Sequence, residues 1–240
     1  MTMTDQSISS RLHGALGQLI AETPPGQRLP SEPELAKKLG VSRATLREAM
    51  RTFEIQGMIR RRQGSGTYVS HPSYVIESGL EVLESIETLA KRIGLEVKLG
   101  QLHVENRLAM EEECQALGLA TCKDVLSITR VILAEGRPVA YLIDVLPVDV
   151  LSAEELENGF TGSVLDLLLH RGEPSLVVAK AEINAVTATP QVARAMGIQR
   201  GDVLLRFMSS LYTAEGRVVD HTFSYFLPGY FRFHVVRRVG

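Results

Sequence analysis

The 240-residue chain is poor in cysteine, with Cys114 and Cys122 its only two. Two cysteines supply neither a disulfide framework nor a paired zinc-knuckle spacing, and a chain of this size can stabilise its own core. Both therefore read as small buried apolar residues. Long apolar runs are also missing. Val145 to Val150 is interrupted by Pro147 and Asp149, well short of the roughly 20 residues that a spanning helix needs. Acidic and polar residues occupy the amino terminus where a signal peptide would be apolar, so a soluble, cytoplasmic chain with no membrane partner is expected. No nucleophile motif or phosphate loop is present, and His13, His71, His103, His170, His221 and His234 are scattered without metal-ligand spacing. No cofactor, metal or catalytic residue is expected. With 45% apolar and 22% charged residues, disorder, collagen and coiled coil are excluded and one or two globular domains remain.

What is present is unevenly distributed. Residues 1–72 carry 10 Lys and Arg against 6 Asp and Glu, a charge of +4, whereas residues 73–240 carry 16 against 22, or −6, which together give the net −2. A basic front segment joined to an acidic remainder is the charge pattern of a nucleic-acid-binding head on a separate body.

The head contains a helix-turn-helix pattern. Ser31 and Glu34 are spaced as a capping box, and Pro33 is harmless in a first turn whose amide is unpaired anyway. Leu35, Ala36 and Leu39 form an apolar stripe, and Gly40 is suited to stop the helix. Ser42 can cap a second helix, on which Leu46, Ala49, Met50 and Phe53 repeat at buried-face spacing. Upstream, Ile8, Leu12, Ala15, Leu16, Leu19 and Ile20 predict a first helix packed beneath the pair. At about 100° per residue, Arg43, Arg47 and Arg51 lie within roughly 80° of one another on the exposed face, with Ser42 and Thr45 projecting from the first turn. A helix that reads base edges in the major groove needs such a cationic, donor-rich start. A solvated amphipathic helix with arginines for solubility would look similar in isolation.

The next segment argues for recognition. Gly57 to Val69 reads as two short strands around a glycine tip, a hairpin carrying Arg60, Arg61 and Arg62. Such a hairpin beside a recognition helix is a wing. Gly64 and Gly66 allow close backbone approach to DNA, and Gln63 or a neighbouring arginine is placed to enter the minor groove or hold phosphate. Ser42, Arg43, Thr45, Arg47, Arg51, Arg62, Gln63, Gly64 and Thr67 form the expected DNA-contacting set.

Leu29-Pro-Ser-Glu32, Leu39-Gly-Val-Ser-Arg-Ala-Thr-Leu-Arg-Glu-Ala49, Glu54-Ile-Gln-Gly-Met-Ile59 and Gly64-Ser-Gly-Thr-Tyr-Val69 resemble the winged helix-turn-helix of GntR-type transcription regulators. The resemblance runs over roughly residues 8 to 70. It implies operator contacts from Ser42, Arg43, Thr45 and Arg47 on the recognition helix and from Gln63 and Gly64 at the wing tip. Pro33 departs from it, standing where many members carry a base-reading arginine, which implies an operator unlike the commonest family site.

Beyond the head, 71–79 reads as a linker, Leu80 to Arg92 as a connecting helix, and 80–240 as a second domain. Val97 to Arg107, Val125 to Ala134, Val139 to Leu146, Leu176 to Val186, Val203 to Ala214, Val218 to Phe226 and Tyr230 to Arg237 have strand character. Helical patterns fall at Ala109 to Leu117, Ser163 to His170 and Gln191 to Met196. The turns at Glu135-Gly136-Arg137-Pro138 and Ala214-Glu215-Gly216-Arg217 join neighbouring strands as antiparallel hairpins. The expected class is α+β, an amino-terminal winged helix-turn-helix followed by an antiparallel-sheet α+β domain.

Ala116-Leu-Gly-Leu119, the strand around Arg130, Gly136-Arg-Pro-Val-Ala140 into Leu146-Pro147, Gly162-Ser-Val-Leu-Asp-Leu-Leu168, Ala195-Met-Gly-Ile198, Gly201-Asp202 and Arg232-Phe233 resemble the UTRA effector-binding domain of the HutC subfamily, over about residues 79 to 238. That likeness implies a chorismate-lyase-like fold, a small-molecule effector and a homodimer. It assigns Arg130 to an acidic ligand. Ser163, at a helix start where unpaired amides favour an anion, is the second candidate, with Tyr141, Asp220 and Tyr225 further candidates to line the pocket. For Ser163 a plain capping role, and for Arg130 an ordinary strand arginine, are equal alternatives. Ile132 stands where phosphosugar-sensing members show a second arginine, Leu142 replaces an acidic residue, and Phe226 replaces a tyrosine. An anionic effector with a substantial apolar portion is therefore expected.

The combined expectation is a ligand-responsive DNA-binding regulator, a homodimeric repressor that a small anionic metabolite releases from a pseudo-palindromic double-stranded operator. The alternatives are an enzyme on a chorismate-lyase-like scaffold tethered to a DNA-binding head, and a DNA-binding protein whose body only dimerises.

Overall fold

The computed structural model describes residues 3–55, 57–62, 64–70, 75–157 and 160–236. The chain divides into two compact units, Met1–Val75 with Pro228–Arg232, and Ile76–Leu227 with Phe233–Gly240.

The first unit begins with three helices, α1 (Met3–Glu22), α2 (Glu32–Leu39) and α3 (Arg43–Ile55). Ser31 opens α2 as anticipated: its backbone amide and its hydroxyl donate to Glu34 at 2.8 and 2.7 Å, and Pro33 sits in the first turn. Gly40 ends it in the left-handed region at φ 66°, ψ 33°, which a side chain would resist. The wing follows as the antiparallel pair β1 (Ile59–Arg62) and β2 (Gly66–Val69). A short stretch ahead of α2 joins it, with the Leu29 amide donating to the Thr67 carbonyl at 2.8 Å and the Val69 amide to the Gln27 carbonyl at 2.9 Å. Leu16, Leu35, Leu46, Met50 and Ile59 form one core between the helices and the wing. Leu16, Leu35, Leu46 and Met50 are fully buried, so truncating any of them to Ala costs about 2–5 kcal/mol.

The second unit is built on a six-stranded antiparallel sheet. Its strands are β4 (Val97–Leu108), β5 (Asp124–Ala134), β6 (Arg137–Pro147), β7 (Leu176–Thr187), β8 (Val203–Thr213) and β9 (Val218–Phe226), in the order β4-β5-β6-β9-β8-β7. Two positive-φ residues, Glu135 at 50° and Gly136 at 78°, turn β5 into β6, the conformation required of a two-residue hairpin loop. A separate two-stranded sheet joins β3 (Ile76–Gly79) to β10 (Phe231–His234). The helices are α4 (Ile86–Arg92), α5 (Glu111–Ala116), α6 (Ala153–Glu157), α7 (Val164–Arg171) and α8 (Pro190–Met196). The architecture is α+β, in agreement with expectation.

Three sequence expectations need correction. The connecting helix is α4 alone. The Ser85 hydroxyl accepts the Thr88 amide at 3.0 Å and caps a helix start, so the exposed Leu80, Val82 and Leu83 lie before the helix. Four of the nine residues read as linker form β3, and 71–74 lie outside the described residues. Cys114 and Cys122 are joined in a disulfide with their Cα atoms 5.5 Å apart. Cys114 is buried as expected, but Cys122 is exposed, and a tight turn after α5 brings the two together.

Candidate DNA-binding face and effector site

The start of α3 is organised by its own first turn. The Thr45 amide donates to Ser42 Oγ at 3.0 Å, and the two hydroxyls are 2.8 Å apart. This pairing satisfies an orphan helix donor and fixes both side chains at the exposed tip beside Arg43, which is also exposed. Arg47 is exposed but held: its Nε lies 2.6 Å from Glu32 Oε2, in the first turn of α2. Arg51 is half-buried.

In the wing the three arginines divide by strand alternation. Arg61 pairs with Thr67 and faces the helices, with its Nε 3.9 Å from Glu32 and 3.8 Å from Glu54. Arg62 is exposed, with its guanidinium 5.3 Å from the centre of the Tyr68 ring. Gly64 adopts φ 73° and, among the described residues, has open space where a Cβ would point. Gln63 lies outside the described residues. Thr67, expected among the DNA contacts, is only 6% exposed; it occupies an inward position of β2, and its side chain belongs to the wing interior.

In the second unit, Arg130 is buried on β5. It donates through Nη1 to the Gly162 carbonyl and through Nη2 to Asp144 Oδ2 at 2.9 Å. Among the described residues its Nε has no hydrogen-bond partner, and its guanidinium lies 5.9 Å from the Phe160 ring centre. Asp220 is buried too and accepts from Thr222 Oγ1 at 3.1 Å. Burial, reinforced by the Asp144 charge, pushes the Asp220 carboxyl well above the usual range. Burial also pushes Asp144 up, with Arg130 pulling against it. Because Arg130 sits directly on Asp144, the negative charge belongs there. Glu87 on α4 is raised by burial and feels the Arg130 charge. Ser163 is the cap of α7, its Oγ accepting the Asp166 amide at 3.0 Å, and the Asp166 carboxylate accepts from Ser85 at 2.6 Å.

The five expected effector residues do not come together. Arg130, Asp220 and the start of α7 share one face of the sheet. Tyr141 pairs with Tyr225 and projects from the other face, where Gln191 on α8 donates to its hydroxyl at 3.0 Å. A one-residue register shift between Ile132 and Leu133 causes the separation. The Glu135-Gly136 turn alone would set Arg130 opposite Tyr141. The bulge sets it opposite Leu142 instead, and with a side-chain period of two this exchanges faces. The carboxylates that do face Arg130, namely Asp144 and Glu87, were not among the sequence candidates. Asp144, a charge inside the apolar run Val139 to Leu146, was the available signal.

Residues 92–232 match the UTRA domain, and residues 8–69 match the family of bacterial regulatory proteins named gntR. The chain belongs to the GntR family and carries a UTRA domain. This GntR-family chain is 30% identical over 200 residues to the HTH-type transcriptional repressor NagR of Bacillus subtilis (strain 168), covering 83% of this chain and 81% of that one. It is 27% identical over 195 residues to the histidine utilization repressor of Pseudomonas putida, covering 76% and 72%. In fold it is similar to the crystal structure of PhnF from Mycobacterium smegmatis, with TM-score 0.65 at 22% identity over 95% of this chain and 100% of that one. It is a DNA-binding transcription regulator with a small-molecule effector domain, and not the enzyme weighed as an alternative. Among the described residues no helix is long and apolar enough to cross a membrane.

Proposed function

We propose that this regulator is a cytoplasmic repressor that binds a pseudo-palindromic operator as a homodimer and leaves it when a small anionic metabolite occupies the UTRA domain. The observation that carries the DNA half is the exposed, self-capped tip of α3, with Ser42, Arg43 and Thr45 presented together. A helix entering the major groove contacts bases from its amino-terminal residues. The wing supports the same reading, with Arg62 exposed and, among the described residues, open space where a Cβ on Gly64 would point. Residues 1–70 are the DNA-binding part, 71–75 the connection and 76–240 the effector and dimerisation part.

The effector reading rests on Arg130 and the start of α7. The Arg130 Nε is the donor left over after Gly162 and Asp144 have taken the two Nη atoms, and the helix start adds a favourable dipole for an anion. The apolar Ile132 and Leu142 nearby suit a ligand with an apolar portion. Tyr141 and Tyr225 face away and take no part in this reading. Ligand shifts the population of dimer arrangements away from the one whose recognition helices sit one DNA turn apart.

A titration of the full chain against its own promoter region, with and without a metabolite panel, tests this. Expected is salt-dependent binding to one fragment that an acidic metabolite weakens. Failure to bind any fragment at low ionic strength overturns the reading, and release only by cationic metabolites overturns its effector half.

A further inference from the structure

We propose that Cys114 and Cys122 are a reversible peroxide-sensing pair, in which Cys122 reacts first with the oxidant and Cys114 closes the disulfide on it. The bonded form is then one of two working states. In the cytoplasm, where the reading above places this regulator, cysteines are held reduced, and the disulfides that do form there are usually catalytic or redox-sensing.

The fold holds the two sulfurs together without needing the bond. Ala109 and Lys123 bracket the segment, the Ala109 amide donating to the Lys123 carbonyl at 3.0 Å just beyond the last β4–β5 pair. Within it, Gly118 turns the chain at φ 66° after α5, and the Leu119 amide donates to the Cys114 carbonyl at 2.9 Å. Glu113 anchors α5: it is buried, accepts from both Arg107 Nη atoms at 2.7 Å and accepts the Met110 amide at 2.8 Å. Cys114 and Leu117 pack in one apolar cluster with Val125, Val145 and Val218. None of these contacts depends on the S–S bond. The two Cα atoms, 5.5 Å apart, therefore stay within disulfide range after reduction. The inner thiol also has a partner in that state, since the Cys114 sulfur lies 3.6 Å from the Ala109 carbonyl.

Exposure divides the roles. Cys122 is exposed and is followed by Lys123, whereas Cys114 is 5% exposed and follows Glu111, Glu112 and Glu113. A reactive thiol is accessible and near a cation, and a buried one is shielded from bulk reagents. The Cys122 thiolate attacks one oxygen of the peroxide. The S–O bond forms, the O–O bond breaks, and the departing oxygen takes up the proton that Cys122 released, leaving as an alcohol or water. Cys122 is left as a sulfenic acid. The Cys114 thiolate then attacks that sulfur, the S–S bond forms, the S–O bond breaks, and hydroxide leaves as water with the proton that Cys114 released. Together the two sulfurs give up the two electrons that reduce the peroxide, and a dithiol reductant returns them. Closing the bond clamps α5 on one face of β5 and β6 through Val125 and Val145, and the same strands carry Arg130 and Asp144 on the other face. Redox state thereby reaches the effector site through the sheet, as a change in the rigidity of its floor.

Thiol counting on the full chain tests the pair. In a glutathione buffer at cytosolic poise both thiols should be free, and hydrogen peroxide should convert them to an intramolecular disulfide that thioredoxin reopens. Cys114→Ser should trap a sulfenic acid at Cys122 that a dimedone probe labels, and Cys122→Ser should not label. Mass spectrometry of briefly oxidised wild type, finding the first sulfenic acid on Cys122, makes the same assignment without a variant. Amides of α5 should exchange about tenfold or more faster in the reduced form. Operator affinity should differ about fivefold or more between the two forms, with C114S/C122S held at the reduced value whatever the oxidant. A bond that persists at cytosolic poise is a fixed structural bridge and overturns the proposal, as does first oxidation at Cys114. Equal α5 exchange and equal operator affinity in the two forms overturn the link to the effector site. Absence of operator binding in both forms overturns the DNA-binding reading instead, and the thiol measurements still decide the switch.

Discussion

Glu32, in the first turn of α2, holds Arg47 of the recognition helix at 2.6 Å and lies 3.9 Å from Arg61 of the wing. One carboxylate thereby links the supporting helix, the recognition helix and the hairpin. The pair is largely solvent-exposed on the Arg47 side, at 55%, so its worth to stability is small, on the order of 0–1 kcal/mol. Its consequence lies in where Arg47 points. Glu32→Gln is expected to lower the melting temperature by no more than about 4–8 °C while raising affinity for random DNA and narrowing the preference for the operator. Titrations on both DNAs at several salt concentrations check this. An unchanged ratio of the two affinities would show that Glu32 does not aim Arg47.

Arg43 has the opposite status, exposed at the α3 tip. Arg43→Ala is expected to cost about 1–3 kcal/mol of operator binding and to relax selectivity at one base position, the mark of a base contact. A loss that is equal on all sequences, with the salt slope reduced by about one, assigns Arg43 to phosphate instead. Binding competitions on a set of single-base operator variants separate the two.

Much of the head was legible because its determinants are local. Ser31 and Glu34 are three residues apart, Gly40 follows the stripe it terminates, and the glycine-tipped hairpin announces itself in sequence. The strands of the body were legible for the same reason, with Glu135-Gly136 marking a turn. What escaped depends on distance and register. Ser85 meets Asp166 across 81 positions, and Arg130 finds Asp144 only once two strands have paired. The bulge after Ile132 assigns Arg130 and Tyr141 to opposite faces, and no periodicity in the sequence reports a single inserted residue. Thr67 carries the same lesson at smaller scale, since a four-residue strand offers too few alternations to tell inward from outward.

The Cys114–Cys122 disulfide closes a short loop, with a sequence separation of 8. By loop closure alone it stabilises the fold by about 2–3 kcal/mol. Reduction is expected to lower the melting temperature, and C114S/C122S should melt at the reduced temperature whether or not reductant is added. Because Cys122 is exposed, reductant can reach the bond without unfolding the domain. Scanning calorimetry with and without dithiothreitol checks both points; identical transitions for oxidised and reduced protein would show that the bridge contributes nothing.

Asp220 gives the body a distinctive pH dependence. Its folded carboxyl titrates well above the usual range, through burial first and the Asp144 charge second. The folded protein therefore retains a proton that the unfolded chain has already released. A group raised in this way contributes stability that is fully present below its unfolded pKa and is lost as pH rises through the folded value. Stability of the UTRA domain should accordingly decline from mildly acidic toward alkaline pH. Asp220→Asn mimics the protonated acid, with one oxygen for Thr222 and an amide to face Asp144, so it should flatten this decline and raise the melting temperature most at the alkaline end. Glu87 is raised by the same cause, so a shallower residual slope should persist in the variant. Asp144→Asn is the contrasting change. It removes the carboxylate from Arg130, leaves a buried guanidinium without its counter-charge, and should destabilise by about 3–5 kcal/mol at neutral pH. Thermal denaturation of the three proteins from pH 5 to 9 decides the assignment. If Asp220→Asn were the destabilised variant and Asp144→Asn the tolerated one, the proton would reside on Asp144, and Asp220 would be the charge that balances Arg130.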